Sequence, residues 1–66
     1  MADSEGTMVI RAWVEPAQNQ AIRARLISSR PGQEGESIEA AGSADDIVRA
    51  VRRWLDLLQQ DAGTTA

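Results

Sequence analysis

The chemistry open to this chain rests on seven arginines, ten carboxylates and two tryptophans, because it contains no histidine, cysteine, lysine or tyrosine. Those absences remove most general bases and activated nucleophiles. Serines remain, but Ser28 and Ser29 end a strand-like stretch, Ser43 stands at a helix start, and no base neighbours them in sequence. Glu34, Glu36 and Glu39 belong to a turn-rich segment and a short strand, a poor frame for acid–base work. Zinc and its relatives want histidine or cysteine. Asp45-Asp46 reads as the acidic complement of a helix N-terminus. Gly32-Gln33-Glu34-Gly35 lacks the Lys-Ser/Thr ending of a phosphate loop. The expectation is a non-enzymatic protein with no cofactor and no metal.

Arginine and tryptophan together do something else well. They stack, pair with acids and anchor interfaces. The stretch Val9-Ile10-Arg11-Ala12-Trp13-Val14-Glu15 alternates apolar and mixed positions, and alternation with a period of two is a strand pattern. Its outward side carries Val9, Arg11, Trp13 and Glu15. A second alternating run, Ala21 to Ser28, sets Ile22, Ala24 and Leu26 against Arg23, Arg25 and Ile27. Arg49, Arg52 and Arg53 form a third group on a helix, where charge ordinarily serves solubility.

These residues need a scaffold. Pro16-Ala17-Gln18-Asn19-Gln20 is a polar connection that suits a hairpin. Setting Val14 opposite Ile22 then places Ala12 opposite Ala24 and Ile10 opposite Leu26, so each inward residue meets another. Arg30 to Gly35 is turn-rich. A third strand is expected from Glu36 to Ala41 with Ile38 and Ala40 inward, Arg25 opposite Glu39, and Ala12–Ala24–Ala40 as a row of small residues. Ser43-Ala44-Asp45-Asp46 reads as a helix cap, followed by an apolar stripe of Ile47, Val51, Trp54, Leu55 and Leu58. Asp45 before Arg49 and Arg52 before Asp56 make charge pairs four apart. Trp54 is expected to lie buried over Ile10, Leu26 and Ile38, and Trp13 to be largely exposed. The fold class is α+β: a three-stranded antiparallel meander, β-β-β-α, with one C-terminal helix packed on one face.

Sixty-six residues allow one small domain, here residues 7–60, between tails 1–6 and 61–66 that are expected to be disordered. So short a chain buries little apolar area per residue, and without cysteine or histidine it cannot be stapled by disulfide or zinc. Self-association is the remaining common remedy. The absence of an apolar run of signal-peptide or membrane-span length points to a cytoplasmic protein without membrane contact. The net charge is −3 and uneven, +2 over residues 7–29 and −4 over residues 30–46. An acidic total disfavours nucleic acid, while the basic sheet segment keeps it as an alternative.

Arg11-x-Trp13-x-Glu15, Arg23-x-Arg25 and Arg52-Arg53-Trp54-Leu55 resemble short bacterial, actinobacterial-like open reading frames that carry no established function. In element order the chain is also similar to AP2-type DNA-binding domains, which read DNA with arginine and tryptophan on an exposed sheet face. The matching positions here are Arg11, Trp13, Arg23 and Arg25, and the analogy is one of fold.

The functional expectation is a small protein-interaction module, self-associating as a homodimer or binding a protein partner. It uses the outer sheet face or the free edge of the first strand. The partner-binding residues are Val9, Arg11, Trp13, Arg23, Arg25 and Ile27. Nucleic-acid binding by the same face is the alternative.

Overall fold

A computed structural model describes residues 5–63, and the outermost parts of both expected tails lie outside that range. Strand β1 (Thr7–Glu15) leads through a 3-10 turn at Pro16–Gln18 into β2 (Ala21–Ser29). Strand β3 (Ser37–Ala41) and the helix α1 (Ala44–Gly63) follow. The sheet order is β1-β2-β3 and both pairings are antiparallel. The architecture is the three-stranded meander followed by one helix that contacts the sheet.

Local chemistry accounts for each connection. Pro16 opens the first turn with its preset φ, and Asn19 and Gln20 close it in the left-handed region at φ 57° and 58°. In the second loop Pro31-Gly32 makes a tight turn, closed by the Gln33 amide donating to the Arg30 carbonyl at 3.1 Å. Gly32 has φ +81°, which the third residue of such a turn requires and which glycine adopts at little cost. At the helix start the Asp46 amide donates to Ser43 Oγ at 3.1 Å, with Asp45 and Asp46 in the first turn. Asp46, rather than Asp45, takes the Arg49 guanidinium, at 3.5 Å.

The β1–β2 register is the one alternation predicts, with Val14 opposite Ile22, Ala12 opposite Ala24 and Ile10 opposite Leu26. The β2–β3 register is displaced by one residue. Ala24 faces Ala41, Arg25 faces Ala40, and Ile27 faces Ile38. A one-residue shift turns every side chain of a strand to the opposite face. Ile38 and Ala40 therefore point away from the helix, while Glu39 and Ala41 point towards it. The expected Arg25–Glu39 pair does not form, and Arg53 on α1 takes Glu39 at 2.9 Å instead. On the edge strand an inward glutamate still reaches solvent at the helix flank, so its charge is never stranded. The row of small residues is Ala12–Ala24–Ala41.

The core is correspondingly small. Ala24, Leu26, Ala41 and Ala50 are buried, with Met8, Ile47 and Val51 packed against them, and Leu26 is the only large side chain fully buried among the described residues. Helix α1 lies over β2 and β3. Trp54 is partly buried and shares a groove with Met8, Leu26 and Ser28, without Ile38. The helix continues to Gly63, and Asp61, placed in the tail by the sequence reading, instead receives the Arg30 guanidinium at 2.7 Å. Gly6 is also held: a β-carbon there would lie 2.8 Å from the Ser29 carbonyl oxygen and 2.9 Å from the Trp54 ring.

Candidate functional site

Antiparallel pairing sets directly opposed residues on the same face. The β1–β2 register therefore brings all six expected partner-binding residues together on the outer sheet face. Trp13 stands opposite Arg23, Arg11 opposite Arg25, and Val9 opposite Ile27. The third strand adds Ile38 and Ala40, two residues the sequence reading had placed inside. Val9 is 54% exposed and Ile38 67%, which makes them the open apolar part of this face.

The polar groups here are partly self-satisfied. The Trp13 indole N–H donates to Glu15 Oε2 at 2.9 Å, and Arg23 donates to Gln18 Oε1 at 2.6 Å. The side chains of Arg11 and Arg25, directly opposed, make neither a hydrogen bond nor an ion pair with any described residue. Together with Trp13 they line a shallow hollow. Two like charges across one strand pair are mildly unfavourable, so this part of the face is held in place by the strands that carry it.

The helix-side face carries a second open surface that the sequence reading assigned to the core. Ile10 is 45% exposed, Val14 49% and Ile22 37%. The exposure of Val14 and Ile22 follows from strand lengths, while Ile10 sits on the edge strand β1, beside the helix that lies over β2 and β3. β1 and β2 have nine residues each and β3 has five, ending at Ala41 across from Ala24. The chain then turns back at Gly42-Ser43 to start the helix, so nothing reaches the far third of the β1–β2 hairpin. The signal lay in those unequal lengths.

Helix geometry continues this surface upward. Successive residues turn by about 100° around an α-helix. With buried Ala50 facing the sheet, Arg53 lies to one side and reaches Glu39 of β3. The other side bears Ile47, Val51 and Leu58, and Leu58 approaches Gly6 just before β1. That side therefore overhangs β1. Further round it stand Leu55, 44% exposed, and Val48, 67% exposed. The sequence reading put Leu55 in the buried stripe, and in the structure it borders the open flank. An apolar surface thus runs from the helix flank down onto Ile10 and Val14.

On the helix, Arg49 and Arg53 hold Asp46 and Glu39, and Arg52 stands exposed. No group of three metal-ligating side chains clusters among the described residues, and no helix is long and apolar enough to cross a membrane. Trp13 is 40% exposed, whereas the Trp54 indole nitrogen is fully shielded and has no hydrogen-bond acceptor among the described residues. No family model, no curated protein and no solved structure matches this chain.

Proposed function

We propose that the chain is a small non-enzymatic interaction module that self-associates through the surface around its first strand. The observation that carries this reading is the imbalance between core and surface. Among the described residues one large side chain is fully buried, while Val9, Ile10, Trp13, Val14, Ile22, Ile38, Val48, Leu55 and Leu57 are exposed. A core of three alanines and one leucine is small support for a folded chain of this size. Large exposed apolar surface on a soluble protein marks an interaction site. The outer face, with Val9, Arg11, Trp13, Arg23, Arg25 and Ile27, offers anchors of the types that interfaces favour. Sedimentation velocity from low micromolar to near-millimolar concentration tests the reading. The expected result is a mass above 7.1 kDa that grows with concentration. A strict monomer throughout removes the proposal.

A second reading has its own support. Arg11 and Arg25 are unpaired beside a partly exposed indole, an arrangement that suits a phosphate backbone and a stacked base. Nucleic-acid binding of this kind weakens steeply with salt. Fluorescence anisotropy with labelled single-stranded and duplex DNA at low salt decides it, and no change at high micromolar protein ends it.

A further inference from the structure

We infer that two copies join edge to edge through β1, antiparallel about a two-fold axis at Ala12, to form a continuous six-stranded sheet with both helices on one face. The inference rests on the self-association proposed above and specifies its geometry. β1 is the outer strand of the sheet, nine residues long, with one side unpaired and no proline within it. Such an edge is a template for a further strand, and its other neighbour is already β2.

Opposed residues in an antiparallel pair must share a face, so the axis falls on a residue and few choices exist. An axis at Ile10 sets Glu15 against the partner's Glu5, and one at Arg11 sets two guanidiniums against each other. Both oppose like charges. An axis at Trp13 pairs only Arg11 to Glu15 before Pro16, which has no amide hydrogen, interrupts the ladder. It leaves Val9 and Ile10 without strand partners.

An axis at Ala12 pairs all of Val9 to Glu15. On the outer face Arg11 then lies opposite the partner's Trp13, a cation over an indole, with the partner's Glu15 diagonal to it. Both Arg11 side chains, which have no partner among the described residues of their own chain, acquire a ring and a carboxylate. On the helix side Ile10 lies opposite the partner's Val14, and the two small Ala12 side chains meet on the axis. The exposed far end of each hairpin is thereby laid beside the half of β1 that the other copy's helix flank overhangs. Val14 comes to lie under the partner's Ile47 and Val51, which stand about level with Ile10 at 1.5 Å per helical residue and 3.4 Å per strand residue.

The absence of cysteine makes the test clean. Ala12→Cys, Arg11→Cys, Trp13→Cys and Ile38→Cys are each oxidised mildly, and crosslinking is followed on non-reducing gels. Circular dichroism checks that each variant folds, and sedimentation of the parent protein runs in parallel. On the Ala12 axis the two position-12 α-carbons lie within the 4.4–6.8 Å that a disulfide spans, while positions 11 and 13 are diagonal and about 7–8 Å from their copies. Ala12→Cys is expected to crosslink about tenfold faster than the other three, because only its thiols meet in the resting geometry. A dimer that crosslinks fastest at 11, 13 or 38, or at none of the four, overturns the Ala12 axis and leaves self-association standing. A parent protein that stays monomeric overturns both.

Discussion

Leu26→Ala is the substitution that should hurt this protein most. Leu26 is 1% exposed and the other buried hydrophobic residues are alanines, so its isobutyl group is the centre of the core. Removing a fully buried leucine side chain costs about 3–5 kcal/mol, counting lost transfer energy and the cavity left behind. The chain has 66 residues, and at 0.05–0.15 kcal/mol per residue its whole stability is about 3–10 kcal/mol. The small core places it near the lower end, so the variant should be largely unfolded at room temperature. Urea titration followed by far-ultraviolet circular dichroism and by Trp54 emission measures the difference. If folding and association are coupled, each tenfold rise in protein concentration adds about 1.4 kcal/mol to the stability per dimer. Both parent and variant midpoints should then climb with concentration. A Leu26→Ala protein within about 1 kcal/mol of the parent at every concentration would refute the picture of a core built on this one side chain.

Other substitutions probe separate features. Ile38→Ser should change stability by less than about 0.5 kcal/mol, since the side chain is 67% exposed; a loss several times larger in urea titration would place Ile38 under the helix after all. Gly6→Ala should cost about 1–3 kcal/mol by driving a methyl group towards the Ser29 carbonyl and the Trp54 ring, with a shift in Trp54 emission as the sign of displacement. Gln20→Gly should stabilise the fold by up to about 1 kcal/mol, read as a higher urea midpoint, because φ 58° suits glycine better than a residue with a β-carbon.

Much of the scaffold was legible because two strands of equal length both alternate. Ile10, Ala12 and Val14 against Ile22, Ala24 and Leu26 admit one register that keeps apolar side chains together, and the structure has it. The third strand offered no such lock. Ser37-Ile38-Glu39-Ala40-Ala41 has an alanine on either parity, so a pattern count favours hiding Ile38 over hiding Glu39. Tertiary contacts decide otherwise: Ala41 fits the narrow space by Ala50, and Glu39 meets Arg53. The helix shows the same bias towards large residues. Its most buried residue is Ala50, which the apolar stripe did not include, while Leu55 within the stripe is 44% exposed. The six outer-face residues were placed together from alternation alone. The uncovered helix-side surface was not, because alternation tells which side a residue faces and is silent on how far the helix reaches.

Ala24, Ala41 and Ala50 meet through single methyl groups, and such a seam has almost no relief. Interlocked leucines index one element against another like teeth, whereas methyls permit small sliding at low cost, the shear by which packed helices move. Leu26 and the Trp54 ring against Gly6 key the helix at two points, and charge at its margins, Arg30 with Asp61 and Arg53 with Glu39, adds to its lengthwise hold. The helix is seated by its alanines and clasped by its arginines, so rising ionic strength should loosen its travel along the sheet before it melts either element.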